Sequence, residues 1–227
     1  MKTLLGRMAV PARAMRAICA MFLGLVLLLP AGSMRAQPAP VAPSGQKAQI
    51  YMMRGLLGIF SLGIDSLAKR LRAQGYDPKI LGWDQWGQIA SEILQNNRDG
   101  DTGQIILIGH SLGSDSTIQV ANAVKQANIP IDLIVTFDIT QPLRVPSNVL
   151  RFVNFFQHNG FGKEAVPGYG FSGELNNIDL TADTSIGHGN IDAIPQLQQA
   201  VVDKVLEITV QQAKKTPARV KRKRPQG

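Results

Sequence analysis

Short apolar runs alternate with stretches of helical periodicity from residue 48 to residue 212. Residues 48–53 form a first apolar run, followed by a loop, 54–63, that holds Gly55, Gly58 and Gly63. Residues 64–73 then place Ile64, Leu67 and Leu71 on one helical face. A turn at 75–77 leads to a brief strand, 79–81, with Trp83 and Trp86 at its carboxyl end and a helix over 86–94. The run 104–108 is β-branched and bounded by Gly103 and Gly109, as a strand buried on both faces should be. Residues 114–126 line up Thr117, Val120, Ala121 and Val124 on one helical face, with no Pro or Gly to break it. Strands follow over 131–137 and 149–156, and a weaker one over 176–180. Residues 190–212 read as a final helix with Pro195 in its early turns. Internal repeats are absent.

Strands that alternate with helices predict an α/β domain: a three-layer α/β/α sandwich around a mostly parallel sheet. Right-handed crossovers bury such a sheet on both faces, and ligands bind beyond the carboxyl ends of its strands. The residues that follow each strand are therefore the ones to inspect for chemistry.

The most informative of them follow the third strand. Gly109-His110-Ser111-Leu112-Gly113 has the G-x-S-x-G spacing, between an apolar strand and a helix. A serine on so sharp a turn has strained backbone angles, and its neighbours pack too closely to carry a Cβ at either glycine. The turn lifts the Ser111 hydroxyl above the sheet and turns the Leu112 N–H toward the place where an oxyanion would form. A plainer interpretation is a serine in a glycine turn at a helix N-terminus.

A serine hydroxyl needs a base, usually histidine, and a carboxylate to orient that base. Of three histidines, His110 adjoins Ser111 and must point away from it, which suits a packing or supporting role. His158 follows the strand that ends at Phe156, and His188 sits between Gly187 and Gly189 in a loop before the last helix. Chain order and loop position favour His188 as the base. Asp138, at the end of the strand after the elbow helix, is the leading acid, with Asp179 and Asp183 as alternatives; Asp115 faces away. A second oxyanion donor should come from the loop after the first strand, at Leu56 or Leu57. Phe60, Trp83, Phe161 and Tyr169 gather in the same reading into an apolar rim suited to an acyl chain, with other aromatics of that region buried in the core. Residues 160–173 hold five glycines and read as a small mobile flap. The sequence shows no metal cluster, phosphate-binding loop or cofactor fingerprint, so no cofactor is expected.

Together these residues resemble the α/β-hydrolase superfamily, with Gly109-His110-Ser111-Leu112-Gly113 similar to its lipase and esterase form of the elbow. The resemblance spans residues 48–212 and, by length, its minimal, cutinase-sized form without a large cap. It implies Ser111 as nucleophile, His188 as base and Asp138 as acid. Many members place the acid one strand later, but Gln157-His158-Asn159-Gly160 offers no carboxylate until Glu164. The implied activity is hydrolysis of carboxylic esters or thioesters with an apolar acyl part. A binding protein without catalysis on the same fold is the alternative.

Charge and leader composition change the picture of where this would happen. Lys2, Arg7, Arg13 and Arg16 precede an apolar run over 18–29, and small residues Ala31, Ser33 and Ala36 follow. Residues 1–36 therefore read as a signal peptide, with residues 37–47 as a linker rich in Pro, Ala and Ser. That implies an exported protein, periplasmic or secreted, with an uncleaved membrane anchor as the alternative. The single cysteine, Cys19, lies in the leader, so the exported domain would rely on its core rather than on disulfides. The formal charge of +8 is misleading, because 12 of the 24 basic residues lie in the leader and in the stretch from Lys214 to Gly227. The remainder carries 12 bases against 16 acids, a net of −4, which argues against nucleic acid as a partner of the folded domain. Residues 213–227 read as a disordered basic tail suited to contact with an anionic surface.

Overall fold

The structure is a computed structural model, and it describes residues 48–56, 58, 61–101 and 103–215. The leader, the linker, Leu57, Ile59, Phe60 and residues 216–227 of the basic tail lie outside the described residues. Six strands form one sheet in the order β2-β1-β3-β4-β6-β8. They are β1 (Gln49–Arg54), β2 (Lys79–Gly82), β3 (Ile105–His110), β4 (Leu133–Phe137), β6 (Arg151–Phe156) and β8 (Glu174–Asp179). Every neighbouring pair in it is parallel. The two-residue strands β5 (Arg144–Val145) and β7 (Val166–Pro167) pair apart from it.

Alternation along the strands builds the three layers. Ile50, Met52, Ile106, Ile108, Leu133 and Val135 point to one face, against Ile64, Leu67 and Leu71 of α1 (Leu62–Ala73) and Val201, Val205 and Ile208 of α4 (Pro195–Lys215). Tyr51, Met53, Ile105, Leu107 and Ile134 point to the other. There they meet Ile89 and Ile93 of α2 (Trp86–Arg98) and Val120, Ala121 and Val124 of α3 (Leu112–Lys125). Each large side chain fully buried this way contributes roughly 1.5–3 kcal/mol of apolar transfer. The α/β/α sandwich expected from the sequence is the fold.

The boundaries differ from the sequence expectation for identifiable reasons. The last helix starts at Pro195, not at residue 190, because proline suits the first helical position and forces the residue before it out of the α region. Ile194 is accordingly extended, and a 3₁₀ turn, Ile191–Ala193, fills the gap. β4 begins at Leu133, with Ile131 making only an isolated bridge to Val149. Between them the Asp132 carboxylate accepts the Ile105 N–H at 3.0 Å.

The strand order reverses direction at β1, whose neighbours are β2 on one side and β3 on the other. A crevice opens at such a switch point, beyond the carboxyl ends of the strands. Gly55 follows β1 there, and Ser111 follows β3.

Candidate active site

Ser111 has φ 57° and ψ −127°, a left-handed backbone that a side chain adopts only when its surroundings enforce it. Close packing does so. A Cβ on Gly109 would lie 2.4 Å from the Gly113 carbonyl oxygen, and one on Gly113 would lie 2.2 Å from that of Met53 in β1. The Ser111 N–H continues the sheet ladder by donating to Phe137 O at 3.0 Å, and the Ser111 carbonyl accepts from Ser114 and Asp115. Its hydroxyl thus stands at the N-terminus of α3, beside the amide of Leu112, which has no acceptor within the helix.

The neighbouring strand holds the acid in a similar way. Asp138 follows β4 with φ 63°, and its N–H donates to Phe155 O at 2.8 Å. Its carboxylate is fully buried, accepting the Gln157 N–H on Oδ1 at 3.2 Å and facing His188 Nδ1 with Oδ2 at 2.6 Å. Gly162 closes over it, and a Cβ there would come within 2.0 Å of Oδ1. A carboxylate only accepts, so His188 Nδ1 carries the proton and Nε2 presents a lone pair. That nitrogen is 2.9 Å from Ser111 Oγ. Ser111, His188 and Asp138 therefore form one continuous hydrogen-bond chain. Ser111 is 9 % exposed, so the hydroxyl is recessed yet reachable.

The other titratable candidates sit elsewhere. His158 lies on the surface with Nε2 3.6 Å from Glu164 and 3.8 Å from Asp179. Hydrogen bonds from Thr181 hold the Asp179 carboxyl below its ordinary value, and Ser185 does the same for Asp183. Asp115 accepts from Thr140 and Gln141 and so fixes the turn after Asp138; burial raises its pKa.

Leu56 follows Gly55 in a turn closed by Gly58 N–H on Gly55 O at 3.2 Å, and half of its surface is exposed. A Cβ on Gly55 would lie 2.8 Å from Ser111 Cβ, so Gly55 lies directly against the serine. Phe161 lays its ring on His188, with centroids 4.8 Å apart, while 65 % of its surface remains open. Trp83 is exposed in a 3₁₀ turn after β2, its carbonyl accepting from Ser116 Oγ of α3 at 2.7 Å. Tyr169 is not part of this group. Glycines on either side of it pack over Val145 and Ser147, on the way back to the amino ends of β6 and β8, and its side chain is 99 % exposed.

Residues 160–173 are also no free flap. Lys163 N–H donates to Ile139 O, Val166 N–H to Leu143 O and Gly168 N–H to Val145 O. Asn154 and Asn177, side by side on β6 and β8, bond the backbone of Lys163 and Ala165. The glycine content predicts mobility, but these side chains from the two flanking strands tie the segment down.

Two positions carry more than their sequence signal suggested. Gln157 gives its backbone N–H to Asp138, while its side-chain amide donates to the carbonyls of Leu180, Asp183 and Ile186. His110 is buried between Ser61, at 2.8 Å from Nδ1, and the backbone carbonyl of His188, at 2.8 Å from Nε2. Burial pushes the His110 pKa down to about 4. Among the described residues, no group of three or more His, Cys, Asp or Glu side chains could hold a metal ion. No described helix is long and apolar enough to cross a membrane.

No protein-family model matches the chain, and no curated protein matches it. Among solved structures, it is similar to a "putative hydrolase of the alpha/beta superfamily" from Xanthomonas campestris pv. campestris. The identity is 15 %, the match covers 70 % of this chain and 99 % of that one, and the TM-score is 0.43.

Proposed function

We propose that the protein is an exported serine hydrolase that cleaves carboxylic esters or thioesters through an acyl-enzyme. The observation that carries this reading is the Asp138–His188–Ser111 hydrogen-bond chain, with Ser111 held at a strained backbone angle at a helix N-terminus. As Ser111 Oγ attacks the carbonyl carbon, its proton passes to His188 Nε2, and Asp138 stabilises the imidazolium that forms. The oxyanion is met by the Leu112 N–H, favoured by the N-terminal end of the α3 dipole, and by a second amide at Leu56 or Leu57. His188 then protonates the departing alcohol or thiol. A water that gives its proton to His188 attacks the acyl-enzyme and releases the acid. Phe161 and Trp83 offer apolar surface for the acyl part, and Phe60 belongs with them from its place in the sequence. Export rests on the leader pattern of residues 1–36, and the basic residues from Lys214 onward would add contact with an anionic surface.

The test is turnover of short p-nitrophenyl esters and acyl thioesters by the wild type and three variants. Ser111→Ala should abolish turnover, and Asp138→Asn should lower kcat by about 10³- to 10⁴-fold. Asp183→Asn should leave it unchanged. Turnover that survives in Asp138→Asn and disappears in Asp183→Asn would reassign the acid. No turnover of either substrate class by folded wild-type protein would leave a binding role on this fold.

A further inference from the structure

We propose that His110 is a positioning residue that locks the loop after β1 and the loop bearing His188 into register, through a one-directional hydrogen-bond chain. The inference rests on the serine-hydrolase reading above.

The direction of the chain follows from what each atom can do. The His188 carbonyl only accepts, so His110 Nε2 must carry a proton to bond it at 2.8 Å. Burial keeps the ring neutral; the bond to the His188 carbonyl and the charge of Asp138 favour its protonation, while the His188 ring opposes it. A neutral ring with its proton on Nε2 has only a lone pair on Nδ1, so the Ser61 hydroxyl donates to it at 2.8 Å. The Ser61 oxygen is then free to accept the Gly55 N–H at 2.9 Å. Gly55, Ser61, His110 and His188 are thus linked in a single order, and reversing any member would leave a buried group without a partner.

The two ends of the chain lie on two separate loops of the site. Gly55 lies against Ser111 and opens the loop expected to supply the second oxyanion donor. His188 carries the base on a loop whose flanking residues, Gly187 and Gly189, meet nothing among the described residues that would confine a Cβ. His110 itself sits on β3, immediately before the serine, and its ring lies 5.1 Å from that of His188. One rigid strand residue therefore sets the spacing between base, nucleophile and oxyanion loop. Ser61 and His110 are both almost completely buried, so water does not substitute for either partner.

The experiment compares wild type with His110→Leu, His110→Gln, His110→Asn and Ser61→Ala, using ester turnover and the rate of fluorophosphonate labelling. Glutamine carries an amide nitrogen near the Nε2 position and retains the bond to the His188 carbonyl; asparagine retains only the acceptor for Ser61. His110→Leu should lower kcat by about ten- to a hundredfold with KM within about twofold, since small misplacement of reacting groups is costly. His110→Gln should recover most of that loss, and more than His110→Asn. If His110→Leu does not fold, the Gln and Asn variants decide the matter by themselves. Independently of turnover, ¹⁵N spectra of Ser111→Ala should show His110 as the neutral Nε2–H tautomer throughout the range from about pH 5 to pH 8. Unchanged kcat in His110→Leu, equal recovery by Gln and Asn, an Nδ1–H tautomer or titration within that range would each overturn the proposal. If wild-type protein is neither labelled nor active, the hydrolase reading fails and takes the effect of His110 on turnover with it. The tautomer then reports whether the chain itself exists.

Discussion

The serine elbow and the histidine loop meet through Ser111 and His110, each hydrogen-bonded to His188, yet they are held by opposite means. The elbow is fixed by shape: Gly109, Gly113 and Gly55 have backbone or side-chain atoms of neighbouring elements within 2.2–2.8 Å of any added Cβ. The loop around His188 is fixed by polar contacts. Added Cβ atoms at Gly187 and Gly189 would meet nothing within 4 Å among the described residues, and its anchors are Gln157, Asn190 and His110. Close packing tolerates no change in volume, whereas a hydrogen-bonded loop tolerates volume but not the loss of a partner. A nucleophile on the first and a base on the second gives a site whose geometry depends on a few buried polar side chains.

Gly113→Ala tests the elbow half most severely. The new methyl would fall 2.2 Å from Met53 O, a backbone atom in the central sheet that cannot step aside. We expect a loss of about 3 kcal/mol or more in chemical denaturation. A loss below about 1 kcal/mol would mean that packing does not enforce the turn.

Asp192 tests the junction between the loop and α1. Its Oδ2 accepts the Ile64 N–H at 3.1 Å, while Oδ1 is buried without a hydrogen-bond partner among the described residues. Burial pushes its pKa up to about 6 from an ordinary 3.8. Between those values the folded state binds the proton and the unfolded state does not, so stability falls as pH rises through this window and then levels off. The drop is roughly 3 kcal/mol. Asp192→Asn should flatten that slope and equal or exceed wild-type stability near neutral pH. An unchanged slope in denaturation curves across the window would contradict the assignment.

Smaller effects are expected where the loop meets solvent. Phe161→Ala removes an exposed ring from His188 and should change stability by less than about 0.5 kcal/mol, as surface substitutions do. The same change should raise KM for long-chain esters more than for short ones; equal KM changes would remove Phe161 from the acyl surface. Smallest of all, Gly189→Ala should leave stability within about 0.5 kcal/mol of wild type. A large loss there would erase the contrast with Gly113.

The same contrast explains what the sequence made legible. The elbow could be read because its signals are local: an apolar run, two glycines and a helical face within twenty residues. Asp138 and His188 could be placed because each stands at a strand end or in a loop that an α/β sheet brings to one side. Gln157 could not, since a glutamine after a strand looks like any loop residue until its three carbonyl partners are seen. Sequence shows His110 only as a packing or supporting residue, because its partners Ser61 and His188 lie 49 and 78 residues away. Proximity in sequence groups Tyr169 with the apolar rim, but the chain has already turned back toward the amino end of the sheet. Local chemistry is visible in sequence; long-range polar tethering is not.

The most direct measurement is fluorophosphonate labelling of the purified protein, followed by mass spectrometry of its peptides. One adduct per chain on Ser111 is expected, lost in Ser111→Ala and strongly slowed when His188 is replaced by alanine. Folded protein that takes up no probe at Ser111, or that labels equally fast without His188, would contradict the catalytic role given to this hydrogen-bond chain.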